Sequence, residues 1–343
     1  MHSIKTTKTT RPQHGGQINQ LIAKYHLDKN SCLDLTTGVN PNGWPVPAIP
    51  AEVYRNLPDS DNLLTIAANY YNSSSLQVTA GSQQSIELLP KILGNNLTVG
   101  IVSPTYAEHL YAWQNNDHKI ILLHPDEIDS QLEQLDCLVI VNPNNPSGFI
   151  FQTEQLLKYL DFFEKKSKYQ NAYLIIDEAF MDSTEELSLL PNIKNNSLII
   201  LRSIGKFFGL AGIRCGFIFS STELLEKISI ELMPWSVNHP ARWIVAKALA
   251  DEQWIKENRY YLNQQSSQLL KILRQTFDNT LVISGCSLFQ TAYCENAEKI
   301  SQLLARQGVL VRLLDKKDGL RFGLPANKEQ LQRLKVALAH CIE

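Results

Sequence analysis

The chain has 343 residues, of which 44% are apolar and 19% are charged, and its formal net charge is −2. The apolar fraction excludes general disorder, and the length predicts one large domain with a smaller one. The near-neutral charge argues against a nucleic-acid-binding surface, no apolar run is long enough to cross a membrane, and the polar first residues do not resemble a signal peptide. We therefore expect a cytoplasmic protein.

The sequence contains six cysteines, and none of them forms a C-x-x-C pair. Zinc-ribbon and thioredoxin-type sites therefore have no support, and we expect no metal centre. Several cysteines, such as Cys137 and Cys215, lie in apolar runs, where a cysteine usually behaves as a small buried hydrophobic residue. We predict reduced thiols with a structural role.

The middle of the chain alternates short β-rich runs with helical patterns. The runs are almost entirely apolar, which is typical of strands covered on both faces in a mainly parallel sheet. We predict strands at 99–102, 120–123, 138–141, 173–176, 198–201 and 216–219. Helical patterns lie between them, for example at 82–93 and 153–166. This alternation predicts an open α/β sheet with functional residues at the carboxyl ends of its strands.

The pattern changes after residue 235, where a long helical stretch runs from about 240 to 276. After it, the sequence predicts strands at 281–284, 288–293, 309–313 and 319–323, with helices at 297–307 and 327–340. These elements form a second α+β unit of ordinary small-domain size. The proline-rich segment 40–47 cannot be a helix and is interpreted as a connecting arm.

Polar residues that can carry chemistry follow the predicted strands. The amide-rich turn NPNNPSG occupies 142–148, Asp177 ends a buried run, SIGK occupies 203–206, and the small-residue turn AGSQ at 80–83 opens a helix. Each signal is weak by itself. An aspartate at a strand end is more often a helix cap, and a glycine–serine pair before a helix binds an anion only in a minority of proteins.

Taken together, these residues describe one site. A helix N-terminus, a hydroxyl and a guanidinium predict a phosphate site, formed by Gly81, Ser82, Ser203 and Arg214. The buried carboxylate of Asp177 would keep a heterocyclic nitrogen protonated. Lys206, desolvated and close to the cationic Arg214, would be a nucleophilic amine, and Tyr106 would stack on a ring. These are the requirements of pyridoxal 5′-phosphate (PLP).

In these motifs, the sequence resembles the fold-type I enzymes of the aspartate aminotransferase superfamily, in the branch that contains histidinol-phosphate aminotransferases and threonine-phosphate decarboxylases. The resemblance covers nearly the whole chain. It implies an α/β fold with a mainly parallel seven-stranded sheet flanked by helices in a large domain, and a small α+β C-terminal domain. The implied limits are an N-terminal arm at 1–45, the PLP-binding domain at 46–235, and a linking helix with the small domain at 236–343.

The same resemblance implies a role for each matched residue. Lys206 is the lysine that binds PLP covalently, and Asp177 pairs with the ring nitrogen. The other implied cofactor contacts are Gly81, Ser82, Gln83, Ser203 and Arg214 at the phosphate, Asn145 at the ring hydroxyl and Tyr106 on the ring face. Gln83 stands where an acidic residue is commoner in the family. Arg321, in the motif GLRFG, matches the arginine that binds the substrate carboxylate.

Three features resemble the decarboxylases of this branch more than its aminotransferases. They are the amino-terminal HGG at 14–16 followed by DLTTGVNP at 34–41, the stretch MPWSVN at 233–238, and Phe180, where aminotransferases usually have a tyrosine. We therefore predict a substrate site that comprises His14, Gly38, Asn40, Asn145 and Arg321. For His14 the alternative is that it is simply a solvated histidine of the arm.

The resemblance implies decarboxylation of L-threonine O-3-phosphate to (R)-1-aminopropan-2-yl phosphate and CO2, a step in cobalamin biosynthesis. It also implies a homodimer whose other partner is a phosphorylated amino acid, with no nucleic acid and no membrane. A PLP-dependent aminotransferase of the histidinol-phosphate type is the alternative, because both reactions use one cofactor and differ in the bond broken at Cα. The intact Lys206, Asp177 and Arg214 disfavour a catalytically silent binding domain, and the absence of G-x-G-x-x-G disfavours a Rossmann dehydrogenase.

Overall fold

The computed structural model describes residues 11–12, 15–16, 18–58, 61–193, 196–277 and 281–342. The strands in these ranges are β1 (Leu33–Leu35), β2 (Leu76–Thr79), β3 (Thr98–Val102), β4 (Lys119–Leu123), β5 (Cys137–Val141), β6 (Tyr173–Asp177), β7 (Leu198–Ser203), β8 (Gly216–Phe219), β9 (Ile283–Cys286), β10 (Phe289–Tyr293), β11 (Val309–Leu313) and β12 (Gly319–Gly323). The α-helices are α1 (Ile18–Tyr25), α2 (Ala51–Arg55), α3 (Leu63–Tyr70), α4 (Ser82–Ile92), α5 (Ala107–Gln114), α6 (Ile128–Gln131), α7 (Thr153–Ser167), α8 (Ile204–Phe207), α9 (Thr222–Glu231), α10 (His239–Leu249), α11 (Glu252–Thr276), α12 (Ala297–Arg306) and α13 (Lys328–Ile342).

The chain divides into two units. Among the described residues, the first unit contains those of Met1–Pro12, Trp44–Asn145 and Ile150–Ile255, and the second contains those of Gln13–Gly43, Pro146–Phe149 and Lys256–Glu343. The predicted limits of arm and domains, at residues 45 and 235, stay a prediction.

The first unit is built on a seven-stranded sheet, counted over the described ranges, with the order β2-β8-β7-β6-β5-β3-β4. Strands β3 to β7 pair in parallel, whereas β8 runs antiparallel to both of its neighbours. The prediction of a mainly parallel α/β sheet is therefore confirmed. The central strands are apolar because both faces are covered, and every residue of β5 and β7 is buried. The edge strand β2 was not among the predicted strands.

The second unit contains a sheet with the order β1-β11-β12-β10-β9. Strand β1 pairs in parallel with β11, and the remaining strands are antiparallel. The predicted strands and helices of this region are present, although the strand expected at 281–284 lies two residues later. This sheet positions Arg321, which lies in β12.

The helical stretch predicted from about 240 to 276 is present as two helices, α10 and α11, with a break at Ala250 and Asp251. The carboxylate of Asp251 explains the break. Its Oδ1 accepts a hydrogen bond from the backbone N–H of Trp254 at 3.1 Å, which caps α11, and its Oδ2 accepts one from the indole of Trp44 at 3.0 Å.

The segment Pro146–Phe149 leaves the first unit and belongs by its contacts to the second. The carbonyl of Ser147 accepts a hydrogen bond from Ser284, and the carbonyl of Pro146 accepts one from Thr291. Gly148 has a φ of 69°, and a Cβ there would collide with the backbone of Gly285. A glycine is therefore required for this close approach of two backbones.

A buried ion pair joins the carboxyl ends of β6 and β7. Arg202 Nη2 lies 2.9 Å from Glu178 Oε2, and Arg202 Nη1 lies 3.3 Å from Asp182 Oδ1. These three residues are at most 1% exposed. Burial raises the pKa of Glu178, and the attraction of Arg202 opposes that rise. Since neither charge is hydrated, each must be compensated by its direct contacts with the other.

Two further observations concern the described ranges as a whole. None of the helices in them has the length and hydropathy that a membrane span needs. All six cysteines fall within these ranges, and none of them forms a disulfide.

Replacing Glu178 by alanine is expected to lower the free energy of unfolding by about 3–5 kcal/mol, because it leaves the buried charge of Arg202 incompletely compensated. Urea-induced unfolding followed by circular dichroism measures this loss. Glu223→Ala is the control, since it removes an exposed ion pair with Lys227 at 2.8 Å and is expected to leave the unfolding midpoint almost unchanged. Equal midpoints for both variants would contradict the prediction.

Candidate active site

The topology of the first sheet brings the predicted site residues to the carboxyl ends of its parallel strands. Asp177 and Ser203 are the last residues of the parallel strands β6 and β7, and Asn145 lies shortly after β5. Because β8 is antiparallel to β7, its first residue Gly216 pairs with Ser203, so that the preceding Arg214 reaches the same edge. One pocket of the first unit is lined by Ser82, Gln83, Tyr106, Val141, Asn145, Asp177, Ala179, Phe180, Ser203, Lys206 and Arg214.

The residues of the predicted phosphate site, in the first turn of α4, Ser203 and Arg214, line this pocket together. Gly81 precedes the helix with a φ of 75°, and a Cβ there would lie 2.8 Å from Nη2 of Arg214. The missing side chain therefore lets the guanidinium approach the helix N-terminus. Unpaired backbone N–H groups, a hydroxyl and a guanidinium together suit a phosphate group.

The turn after β5 presents Asn145 to the pocket because its other asparagines build the turn. Asn142 Oδ1 accepts a hydrogen bond from the backbone N–H of Phe151 at 2.9 Å. Asn144 accepts one from the hydroxyl of Thr105 at 2.8 Å and donates one to the carbonyl of Pro104 at 2.9 Å. Asn145 follows this rigid frame and lines the pocket.

Asp177 is buried, with 3% of its surface exposed, and both of its carboxylate oxygens are engaged. Oδ1 accepts a hydrogen bond from the backbone N–H of Ala179 at 3.0 Å, and Oδ2 lies 3.0 Å from Nε2 of His109. With Asp177 ionised, His109 is the donor of that bond. A carboxylate oriented in this way can hold a protonated ring nitrogen, which fits the pyridine of PLP.

Lys206 supplies the amine of the pocket. It lies in the short helix α8 directly after β7, and its Nζ is 5.3 Å from the centroid of the Phe180 ring. Phe180 is 3% exposed. The pocket therefore combines an amine, a carboxylate and the groups of the predicted phosphate site, and this donor set fits an aldehyde cofactor that carries a phosphate and a basic ring nitrogen.

Tyr106 is fixed by a chain of polar contacts. Its hydroxyl donates a hydrogen bond to Gln83 Oε1 at 3.2 Å, and Gln83 Nε2 donates to Glu108 at 2.8 Å and to Glu87 at 3.0 Å. Arg11 lies 3.6 Å from Glu108 and 2.9 Å from Glu87. Burial raises the pKa of Tyr106, with a further rise from the charges of Glu108 and Asp177, so the hydroxyl stays neutral and donates.

The side-chain amide of Gln83 is thus directed at Tyr106 and at two carboxylates. The contribution of Gln83 to the phosphate site stays a prediction. It would come from the backbone N–H of Gln83 in the first turn of α4.

Arg321, Gly38 and Asn40 belong to the second unit. Arg321 is 8% exposed, donates a hydrogen bond to the carbonyl of Thr36 at 2.9 Å and lies 5.3 Å from the ring of Phe289. Burial and the neighbouring charge of Arg312 lower the pKa of Arg321 to about 10. An anion bound beside Arg321 would counteract this lowering of its pKa.

Asn40 is buried and has structural contacts within the second unit. Its Nδ2 donates a hydrogen bond to Asn258 at 3.0 Å, and its Oδ1 accepts one from the backbone N–H of Asn42 at 3.0 Å. Gly38, two residues earlier in the chain, is also buried. His14 lies outside the described residues, and its substrate contact stays a prediction.

Sequence reasoning missed three polar residues close to predicted site residues. His109 and Glu108 lie in the first turn of α5, where a spacing of three from Tyr106 to His109 is the signal that was available. Arg312 lies directly opposite Arg321 in the pairing of β11 with β12. Within the described ranges, no group of three His, Cys, Asp or Glu side chains is arranged to bind a metal ion.

Comparison with known proteins gives three kinds of likeness. The family described as aminotransferase class I and II matches residues 53–338. The chain is 37% identical to the threonine-phosphate decarboxylase of Pseudomonas aeruginosa, and the match covers 95% of this chain and 97% of that protein. It is 30% identical to the histidinol-phosphate aminotransferase of Ruminiclostridium cellulolyticum, where the match covers 53% of this chain and 49% of that protein. The crystal structure of L-threonine-O-3-phosphate decarboxylase from Porphyromonas gingivalis superposes with a TM-score of 0.75 at 18% identity, over 89% of this chain and 98% of that one, which shows the shared fold.

Replacing Gln83 by alanine is expected to weaken PLP binding by about two- to tenfold, because Tyr106 loses the acceptor that orients its ring. Titration of the cofactor-free protein with PLP, followed by absorbance, measures this change. Gln152→Ala is the matched control, since Gln152 is an exposed glutamine of the same unit whose side chain caps no helix. An unchanged dissociation constant in Gln83→Ala would contradict the role given to this contact.

Proposed function

Since the chain belongs to the family of class I and II aminotransferases, we propose that it is a PLP-dependent decarboxylase of L-threonine O-3-phosphate. The products are (R)-1-aminopropan-2-yl phosphate and CO2, which would place the reaction in cobalamin biosynthesis. The observation that carries the proposal is the 37% identity to a threonine-phosphate decarboxylase across 95% of this chain. Phe180 at the position where aminotransferases usually have a tyrosine supports the same assignment.

Residues of the first unit would bind the cofactor. The first turn of α4, Ser203 and Arg214 suit its phosphate, Asn145 its ring hydroxyl and Tyr106 its ring face. Bound PLP supplies an electron sink for the bond that breaks at the substrate Cα. Asp177 keeps the ring nitrogen protonated, and His109 orients the carboxylate of Asp177 for that purpose.

The substrate has two separate acidic groups, a carboxylate and a phosphate, which together carry two to three negative charges beside its ammonium group. Arg321 on β12 and the opposite Arg312 on β11 carry two guanidinium groups for these anions, and Arg312 would exchange its ion pair with Asp315, at 3.0 Å, for one of them. Fixing both groups would also fix the direction of the Cα–carboxylate bond. This direction decides between loss of CO2 and loss of the Cα proton, and it therefore separates the decarboxylase from the aminotransferase alternative.

Lys206 has a different task in the two reactions. In the decarboxylase it delivers a proton to Cα after CO2 has left, whereas in the histidinol-phosphate type of aminotransferase it removes the proton from Cα. Both tasks need the amine of Lys206 close to Cα, so its position in the pocket alone does not distinguish them.

We expect the purified protein to release CO2 from L-threonine O-3-phosphate without any added keto acid, because decarboxylation needs no amino acceptor. Measurement of CO2 with and without 2-oxoglutarate tests this. Lys206→Ala is expected to abolish the release, and Lys227→Ala, which changes an exposed lysine of the same unit, is expected to keep it. Turnover that depends strictly on the keto acid would contradict the proposal and favour the aminotransferase.

A homodimer and a cytoplasmic location are part of the same proposal. Ile230, Met233 and Trp235, at the end of α9 and in the following turn, are 81%, 74% and 58% exposed. Trp235 also has a φ of 55°, a conformation that bulky residues rarely adopt. Neighbouring apolar side chains of this size favour a protein interface, and a second copy of the chain is the partner that the family typically has.

Light scattering is expected to give the mass of two chains for the purified protein, and Trp235→Ser is expected to shift the equilibrium toward the monomer because it removes apolar contact area. Tyr169→Ser is the control, since Tyr169 is 91% exposed on another part of the same unit. A wild-type protein that is monomeric at micromolar concentration would contradict the dimer, and equal masses for both variants would exclude Trp235 from the interface.

A further inference from the structure

The loop that follows β1 contacts the arginine predicted to bind the substrate carboxylate. Nη2 of Arg321 donates a hydrogen bond to the carbonyl oxygen of Thr36 at 2.9 Å, and the two residues have only 8% and 2% of their surfaces exposed. Both belong to the second unit, although 285 positions separate them in the chain. Because a guanidinium is a rigid plane with donors at fixed positions, a bond from one nitrogen restricts where the others point.

A backbone carbonyl suits this contact because it has no net charge. It accepts a hydrogen bond from the guanidinium, whereas a carboxylate at the same place would compete with the substrate for the positive charge. Burial and the charge of Arg312 lower the pKa of Arg321 to about 10, so the side chain is still a cation at neutral pH. The contact with Thr36 therefore orients this cation without neutralising it.

The direction of the Thr36 carbonyl is set by other hydrogen bonds of the same residue. The backbone N–H and the hydroxyl of Thr36 both donate to Oδ1 of Asp34, at 2.9 and 2.7 Å. The hydroxyl oxygen accepts a hydrogen bond from the backbone N–H of Gly16 at 2.9 Å. Threonine is also β-branched, which restricts the rotation of its side chain. The hydroxyl thus both donates and accepts, and it links the loop after β1 to the segment at Gly16.

Close packing of backbones restricts the same loop. A Cβ at Gly15 would lie 2.4 Å from the carbonyl oxygen of Thr36, and a Cβ at Gly323, the last residue of β12, would lie 2.2 Å from the carbonyl oxygen of Thr37. Backbone atoms cannot swing aside as the end of a long side chain can. The loop is therefore held between the segment at Gly15 and the end of the strand that carries Arg321.

We propose that Thr36 is a positioning residue for the substrate carboxylate, because its carbonyl orients the guanidinium of Arg321 and its hydroxyl fixes that carbonyl. This inference rests on the proposed function and on the assignment of Arg321 to the carboxylate. When the bond between Cα and the carboxylate carbon breaks, its electron pair stays on the Cα side and the carboxylate leaves as neutral CO2. The contact with Arg321 is therefore stronger before the reaction than in the transition state, and a poorly oriented Arg321 raises KM more than it lowers kcat.

The test compares Thr36→Val, which removes the hydroxyl and keeps the branched shape, with Thr36→Ser, which keeps the hydroxyl. Release of CO2 at varied concentrations of L-threonine O-3-phosphate measures KM and kcat. We expect Thr36→Val to raise KM by about three- to tenfold, as for the weakening of one hydrogen bond to a charged group, and to change kcat by less than about twofold. Thr36→Ser is expected to match the wild type, and a Thr36→Ser variant that behaves like Thr36→Val would overturn the inference.

The reaction product separates the carboxylate from the rest of the substrate. The compound (R)-1-aminopropan-2-yl phosphate keeps the phosphate of the substrate and lacks its carboxylate. Its inhibition constant is therefore expected to change by less than about twofold in Thr36→Val. An inhibition constant that rises together with KM would show a general loosening of the site and would overturn the role given to Thr36.

A second background shows whether Thr36 acts through Arg321. Arg321→Lys keeps a positive charge but has no planar group to orient. In this background Thr36→Val is expected to change KM by less than about twofold, since effects are not additive when one residue acts through the other. The same three- to tenfold rise in both backgrounds would contradict the inference. If circular dichroism shows that Thr36→Val does not fold, Thr36→Ala is compared with Thr36→Ser in the same measurements.

The outcomes distinguish this inference from the proposed function. If the wild type releases CO2 and Thr36→Val has the KM of the wild type, the role of Thr36 is wrong and the function stands. If turnover depends strictly on 2-oxoglutarate, the proposed function fails. KM for 2-oxoglutarate then tests Thr36, because this keto acid also has a carboxylate beside its reacting carbon. A three- to tenfold rise in Thr36→Val would support the positioning role, and an unchanged KM would overturn it.

Discussion

The buried ion pair between Arg202 and Glu178 is the interaction on which the arrangement of the pocket depends. Glu178 directly follows Asp177, and Arg202 directly precedes Ser203. Because successive side chains of an extended chain point to opposite sides, the pair faces the interior while its two neighbours face the pocket. The ion pair therefore links the strand ends that carry the carboxylate of Asp177, the hydroxyl of Ser203 and, one helical turn later, the amine of Lys206.

An ion pair in an interior is costly to desolvate, and the surroundings of this pair offset that cost with hydrogen bonds. Glu178 accepts bonds from Ser188 Oγ at 2.6 Å and from the backbone N–H of Leu189 at 3.1 Å, while Arg202 donates to Ser188 at 3.0 Å and lies 5.2 Å from the ring of Tyr71. A buried pair with this many hydrogen bonds has few favourable geometries, which explains how two strand ends can present reactive groups in a constant arrangement.

The sequence predicted those features of the structure that depend on residues close together in the chain. Apolar runs predicted six strands of the first sheet, and strand-end residues together with the family resemblance predicted eight of the eleven residues that line the pocket. Contacts between residues far apart in the chain were not predictable. Trp44 contributes to the helix break at Asp251 from 207 residues away, and His109 reaches Asp177 across 68 residues. The strand β1 has only three residues, too few for a periodic pattern.

The path of the segment Pro146–Phe149 bears on how the chain is made. Its carbonyls accept hydrogen bonds from Ser284 and Thr291, which the ribosome adds long after Asn145. The turn that leads away from Asn145 is therefore completed only when most of the chain has been synthesised, although domains generally fold in order from the N-terminus. A chain ended at Ile255 would contain every residue of the first-unit pocket and still lack both donors. The frame of Asn142 and Asn144 that precedes Asn145 has its partners early in synthesis, whereas the segment directly after Asn145 has to wait for residues of the last quarter of the chain.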